Sequence, residues 1–255
     1  MRLFATVVLC ALSILWIPSC NKSEEAKLMP VTTDSDQALE YYREGMAAFD
    51  RVKLREAMDQ LEMAVEQDPD FFMAYFWMYL MSGKGAKKIA DEAMQSDAPL
   101  NAGEKYIKTA FKYLVSGQYE KVVENLKAAI RLYPEDPDVH KILYIIQFQI
   151  MWDLEGAVET LENAIKAIPD YPLAYNQLGY ALMELEEFKK AEEAFDTYIR
   201  LAPDIANPYD SKGDFYMNTG QYEAAYKSYM KAFETDSTFT VSEKKARKAR
   251  EFMED

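Results

Sequence analysis

A sequence pattern that recurs at a nearly constant spacing constrains the fold of this 255-residue chain more than any other feature. The pattern is counted from five marker residues: Pro69, Pro134, Pro169, Pro203 and Ser237. An Ala or Val stands twelve positions before each marker, and an apolar or aromatic residue stands eight positions before it. The last three markers are spaced 34 residues apart, at positions 169, 203 and 237. Each copy contains two stretches with helical apolar periodicity, and neither stretch can bury its apolar face alone, so the pattern predicts stacked helix pairs.

The copies resemble the tetratricopeptide repeat, most closely over residues 175–204 and 209–237. This resemblance implies an all-α fold, a right-handed superhelix (α-solenoid) of about five to six helix pairs over residues 37–239. The second unit, residues 72–102, is degenerate because Gly83 and Gly85 interrupt it. We predict helix pairs at 36–68, 72–97, 103–133, 138–168, 172–202 and 206–236.

The last segment, residues 240–255, is predicted to form a C-terminal capping helix. Thr240 and Glu243 fit a capping box, and Ala249 can pack on the last unit. The basic side chains of this helix, Lys245 among them, are expected on its outer side. Such a face could meet an anionic partner or a membrane surface, but a terminal solenoid helix also needs a polar face for solubility.

The N-terminal segment, residues 1–19, has the charge and apolar pattern of a signal peptide. Its apolar run is too short to span a hydrocarbon core of about 30 Å. The sequence Ile17-Pro18-Ser19-Cys20 resembles a bacterial lipobox, which implies cleavage before Cys20 and attachment of lipid to Cys20. The alternative is an ordinary secreted protein cut near Ser19. Residues 20–36 lack hydrophobic periodicity, so we predict a flexible tether there.

Composition and the missing motifs argue against several functions. A formal net charge of −14 disfavours nucleic acid, because phosphate binding needs clustered Lys and Arg. The single histidine, His140, stands among apolar residues and is expected to be packed. Cys10 would leave with the signal peptide and Cys20 would carry lipid, so no thiol remains for catalysis or metal binding. No nucleotide-binding, nucleophile-elbow or zinc-protease motif occurs, and we expect no enzyme, cofactor or metal.

The tetratricopeptide resemblance also implies that the first helix of each unit lines the concave face. This face is apolar and aromatic in units one to four, and polar to acidic in units five and six. It is either an open groove that binds a partner through apolar anchors, or a tightly wound surface buried against itself or a second copy. The candidate partner-binding residues are Tyr42, Met46, Met73, Phe76, Leu80, Ile107, Phe111, Ile142, Ile146, Asn176, Tyr180, Asp210 and Asp214.

These features predict a membrane-anchored scaffold or adaptor of the cell envelope that binds a partner helix or peptide. An acidic groove end would favour a basic flank on that partner. The outer membrane is favoured over the inner membrane, because Asn21 is not the aspartate typical of inner-membrane retention; the protein would face the periplasm or the cell surface. The alternative is a ligand- or substrate-binding component of an envelope uptake or signalling system. The sequence leaves the partner and the oligomeric state open.

Overall fold

A computed structural model describes residues 28–82 and 86–254. Within these ranges the chain is helical, with no β-strand. The predicted signal peptide and the lipid-bearing Cys20 lie outside the described residues. The α-helices are α1 (Asp36–Asp50), α2 (Leu54–Gln67), α3 (Phe72–Ser82), α4 (Lys87–Gln95), α5 (Ala102–Val115), α6 (Tyr119–Leu132), α7 (Pro137–Ile145), α8 (Leu154–Ala167), α9 (Pro172–Glu184), α10 (Phe188–Leu201), α11 (Ala206–Asn218), α12 (Tyr222–Thr235) and α13 (Thr240–Glu254).

Each odd-numbered helix from α1 to α11 packs against the even-numbered helix that follows it, and α13 packs on α12. The residues of the repeat pattern lie at the buried crossings: Ala57, Leu61 and Ala64 of α2 are fully buried, as are Ala191 and Phe195 of α10. The all-α solenoid predicted from the spacing is therefore confirmed.

Side chains define where several helices begin. The Asn101 side chain accepts hydrogen bonds from the N–H groups of Gly103 and Glu104, and the Glu104 carboxylate completes the capping box. Asp136 caps α7, with Pro137 in the first turn, where a missing N–H costs nothing. These caps place the helix starts within a residue or two of the predicted boundaries.

Two units depart from the regular pattern. The second pair is short, with 11 residues in α3 and 9 in α4. In the fourth unit, α7 continues as a π-helix over Ile146–Met151, which ends at Trp152 in a left-handed conformation with φ of 56°. Nothing in the periodicity predicted this π-helical turn.

The turn between the two helices of a pair contains a left-handed residue in five units of the described chain. Gly117 and Gly220 fill this position in two units, where a positive φ is free of steric cost. Val52, Trp152 and Glu186 fill it in three others, with φ of 62°, 56° and 60°. A side chain makes this conformation costly, and most so for the β-branched Val52.

Residues 28–35, here called the strap, run along the solenoid edge that is formed by the turns between successive helix pairs. The Met29 side chain is buried and lies against Gly103, and its N–H donates to Asp136 Oδ2 at 2.8 Å. The Thr32 N–H donates to Glu104 Oε1 at 2.7 Å. The predicted flexible tether is therefore wrong for residues 28–35, because backbone polar groups and one apolar side chain of this strap find partners on α5 and at the start of α7.

Candidate functional site

The apolar part of the predicted groove forms part of the core. Phe76 and Phe111 are at most 1% exposed, with ring centroids 5.6 Å apart in an edge-to-face arrangement. Of the two alternatives for these apolar candidates, an open groove or a surface buried against itself, the structure shows the second, because the first four units bury them against each other. The buried candidates are Tyr42, Met46, Met73, Phe76, Ile107, Phe111, Ile142 and Ile146.

A buried lysine ties the first unit to the fourth and keeps this inner face closed. The Lys141 ammonium of α7 donates to Asp50 Oδ1 at 2.5 Å, across 91 residues of sequence, and to Asp138 Oδ1 at 2.8 Å. It also lies over the rings of Phe49 and Trp77. Burial alone lowers the pKa of Lys141, but the charges of Asp138 and Asp50 outweigh burial and raise it. Lys141 therefore forms a noncovalent charged bridge between α1 and α7, beside the aromatic rings of Phe49 and Trp77.

Beyond this closed region lies a cavity of about 620 Å³, the central cavity, between the first and last units. Its walls come from α1, α3, α7, α9, α11 and α13, together with Leu54 at the start of α2 and Gln149 of the π-helical turn. One side is apolar, formed by Phe49, Leu80, Ile145 and Leu173 among others. The other side is polar, and five of the groove candidates lie on the cavity wall: Leu80, Asn176, Tyr180, Asp210 and Asp214.

The acidic side of the cavity is a hydrogen-bonded network around two aspartates of α11. Lys245 Nζ donates to Asp210 Oδ2 at 2.7 Å and lies 2.8 Å from Asp214 Oδ1. The Tyr180 hydroxyl donates to Asp214 Oδ2 at 2.9 Å, and the Ser242 hydroxyl donates to Asp210 Oδ1 at 2.6 Å. Burial and the neighbouring Asp214 charge raise the pKa of Tyr180 well above its usual range, so its hydroxyl remains a donor.

Lys245 corrects the expectation that the basic residues of the cap all lie on its outer side. Its side chain points into the cavity, whereas Lys248 on the same helix is exposed. Burial lowers the pKa of Lys245, but the Asp214 and Asp210 carboxylates together raise it above the usual value. The terminal helix thus supplies a cation to the cavity.

Two side-chain acceptors of α9 are left without hydrogen bonds on the cavity wall. Asn176 is 7% exposed, and its Oδ1 atom has no partner within the described residues. The neighbouring Gln177 Oε1 is buried and also lacks a partner there. A buried acceptor that lacks a hydrogen bond costs about 1–3 kcal/mol, so these two atoms are available to a donor in the cavity.

A second cavity, of about 640 Å³, lies under the strap. It is lined by Leu28 and Met29 of the strap and by Tyr42, Met46 and Asp138 of the solenoid. The structure therefore places two of the groove candidates, Tyr42 and Met46, beneath the N-terminal strap and away from the central cavity.

Sequence reasoning missed Lys245 and Gln177 as cavity residues. Lys245 lies outside the repeat, so no repeat position could be carried over to it. Gln177 directly follows Asn176 in α9. Its side chain reaches the cavity because of the rotation of α9 about its own axis, which the repeat spacing does not specify.

The described residues give no sign of a metal centre or of a membrane span. Among them, no three His, Cys, Asp or Glu side chains are grouped so that they could hold a metal ion. No helix within residues 28–82 or 86–254 has both the length and the apolar character needed to cross a bilayer.

Comparisons with known proteins bear on the repeats and on the fold. Sequence profiles of the tetratricopeptide repeat match residues 153–209 and 206–239. The human mitochondrial import receptor subunit TOM70 is 27% identical over 143 residues; the match covers 53% of this chain and only 23% of the receptor subunit. A thermophilic TPR protein of Thermus thermophilus shares the fold, with a TM-score of 0.54 and 18% identity over 83% of this chain and 98% of that one. The predicted repeats are confirmed: residues 153–239 carry tetratricopeptide repeats, within a solenoid of that fold.

Proposed function

We propose that this protein is a lipid-anchored scaffold or adaptor of the cell envelope, which holds a segment of a partner protein in its central cavity. The observation that carries the proposal is the cavity wall itself. Apolar side chains, two unsatisfied amide acceptors and two aspartates meet there, in a space of about 620 Å³. Such convergence of apolar area with a few placed polar groups is typical of binding sites.

Two further points support a binding role. The partly similar human protein is, by name, a subunit of an import receptor. The cavity also lies where the first and last units approach each other, so an occupant would contact both ends of the solenoid. Binding there would stabilise the closed superhelix, because a ligand favours the state that it contacts.

The anchoring part of the proposal rests on the lipobox-like sequence ending in Cys20. Seven residues lie between Cys20 and Leu28, and the eight Cα–Cα steps that join them span at most about 29 Å. Since the strap is bonded to Asp136 and Glu104 from Met29 onward, a lipid on Cys20 would hold the solenoid close to the bilayer. The outer membrane is the proposed location.

A second candidate function is favoured by the size of the cavity. A volume of about 620 Å³ falls within the range of about 300–1,000 Å³ that is usual for small-molecule sites. The protein would then be the ligand-binding component of an envelope uptake or signalling system.

A photo-crosslinking amino acid placed at Leu173, on the cavity wall, tests which function applies. We expect one discrete protein adduct in intact cells, and none from the exposed control position Val115. Adducts of the same kind from both positions, or none from either, would contradict the scaffold proposal. A small molecule that co-purifies with the protein in native mass spectrometry would favour the second candidate.

The lipid anchor has its own test. Cells are fed an alkyne-labelled fatty acid, and the label is read on the wild-type chain and on Cys20→Ser. We expect label and membrane association for the wild type, and loss of both in the variant. A wild-type chain without label would refute the anchor while leaving the cavity untouched.

A further inference from the structure

The acidic side of the central cavity has an excess of negative charge. Lys245 is the only cation in contact with Asp210 and Asp214 among the described residues. Lys212, which stands between them in sequence, instead contacts Glu192 at 3.2 Å and Asp196 at 2.8 Å, outside the cavity lining. Two carboxylates therefore share one ammonium, in a chain whose formal net charge is −14. A cationic group is attracted to this site and an anionic one is repelled.

Lys245 is more exposed than the two buried lysines that also bridge two carboxylates. The Lys245 side chain is 32% exposed, whereas the side chains of Lys141 and Lys212 are 1% and 4% exposed. Helix α13 packs on α12, and no further unit of the solenoid covers it within the described residues. The Lys245 side chain can move into solvent when another cation takes its place between the carboxylates, because long cationic side chains readily reach solvent.

The other residues of the cavity wall indicate which groups a bound cation would have beside it in the same ligand. The mouth of the cavity carries the exposed apolar side chains of Val52 and Leu54 from the first unit and Val241 from the cap. Burying these side chains favours binding, because it removes apolar surface from water. Inside, Asn176 Oδ1 and Gln177 Oε1 have no partner among the described residues and can accept hydrogen bonds from N–H groups.

We infer that the central cavity takes a peptide segment in which an apolar side chain stands next to a lysine or arginine, whose cationic group replaces Lys245 between Asp210 and Asp214. The inference rests on the proposed scaffold function and specifies the chemistry of the partner segment. Lys245 occupies the cation position in the free protein. The N–H groups of the bound segment satisfy the two amide acceptors, and its apolar side chain fills the space beside Leu80 and Leu173.

The test uses the full-length protein in phosphatidylcholine nanodiscs and three fluorescein-labelled peptides that differ at one position. The peptides have the sequence Leu-Ser-X-Leu-Ser, where X is lysine, norleucine or glutamate. Binding is measured by fluorescence anisotropy. We expect the lysine peptide to bind about tenfold more tightly than the norleucine peptide, and the glutamate peptide to bind most weakly, as a charge-assisted hydrogen bond implies.

Variants at Lys245 test the replacement itself. Lys245→Met removes the competing ammonium, so affinity for the lysine peptide should rise about tenfold while affinity for the norleucine peptide stays constant. Lys245→Arg keeps the charge and binds carboxylates in a bidentate manner, so affinity for the lysine peptide should fall. Lys248→Met, an exposed change on the same helix, is the matched control and should change neither affinity.

Three results would overturn the inference. Equal binding of the lysine and norleucine peptides to the wild type would show that the site does not read charge, whatever the variants do. A loss of lysine-peptide affinity in folded Lys245→Met would show that Lys245 supports the site instead of occupying it. A dimer in sedimentation that disappears on substitution of Leu173 by Asp would assign the cavity to a second copy. Because the crosslink from Leu173 is read separately in cells, the scaffold function can stand when this inference fails.

Discussion

The buried lysine that joins the first and fourth units gives the sharpest test of why the inner face is closed. We consider two perturbations of the same ion-pair cluster. Lys141→Met removes the ammonium, whereas the double variant Asp50→Asn/Asp138→Asn removes both carboxylates and leaves the ammonium. The two changes remove the same ion pairs, formed at 2.5 and 2.8 Å, but they leave different groups without a charged partner.

The exposures of the three side chains decide which variant costs more. Asp50 and Asp138 are 43% and 31% exposed, so they are hydrated after Lys141 is replaced, and methionine fills the space beside Phe49 and Trp77. We expect Lys141→Met to cost about 1–2 kcal/mol of unfolding free energy. In the double variant the ammonium is 1% exposed and unpaired, which costs about 3–5 kcal/mol. Loss of its proton sets a ceiling near 5 kcal/mol at pH 7, from an ordinary pKa of 10.5.

Urea unfolding followed by circular dichroism measures both variants. With a denaturant dependence of about 2–3 kcal/mol per molar, the double variant should lower the midpoint by about 1–2 M, and Lys141→Met by less than about 1 M. The triple variant should be close to Lys141→Met alone, because no buried charge then remains. If Lys141→Met is the more destabilised of the two, the cost does not arise from an unpaired buried ammonium and the reasoning is refuted.

The pH dependence supplies a second readout. In the wild type the pKa of Lys141 is raised, so its stabilising contribution is present below the ordinary lysine pKa and lost only as pH rises through the folded-state pKa. The wild-type advantage over Lys141→Met should therefore stay constant between about pH 6 and 9. In the double variant burial lowers the pKa of the unpaired ammonium, the unfolded state binds more protons, and stability should rise with pH.

Four further outcomes follow from the structure. Val52→Gly should raise the unfolding free energy by about 1 kcal/mol, because it relieves a positive φ of 62°, and Gly220→Val should lower it in the same thermal scan; an unstabilised Val52→Gly would count against turn strain. Met29→Ala should cost about 2–4 kcal/mol and raise the amide hydrogen exchange of residues 28–35, and unchanged exchange would mean that this side chain does not hold the strap. Burial lowers the pKa of His140, so the unfolded state binds more protons and wild-type stability should fall as pH drops through the ordinary histidine range; His140→Gln should reduce this slope, and an identical slope would exclude the effect. Phe111→Asp should abolish cooperative unfolding because it buries a charge in the core, and a folded variant that loses only partner capture would restore the open-groove hypothesis.

The periodicity predicted most of the architecture, for a reason that lies within each repeat. Small and apolar residues at fixed spacings, such as Ala191 and Phe195, can be buried only if two helices cross at that point. The same local rule places Asn176, Tyr180, Asp210 and Asp214 on the inner helices, and all four lie on the cavity wall. What lies opposite an inner helix is set by distant units, and the repeat pattern contains no information about them.

The sequence by itself therefore determined the helix pairs, the order in which they stack and the cap after the last unit. Each of these depends on contacts between residues fewer than about 40 positions apart, which a repeat of about 34 residues records directly. Only the tertiary structure decided that Phe76 and Phe111 are core residues and that Lys245 points inward. These outcomes depend on the tightness of the superhelix, which is fixed by contacts such as that between Lys141 and Asp50, 91 residues apart. A small change in the angle between successive units, accumulated over four of them, decides whether the same inner side chains face water or each other.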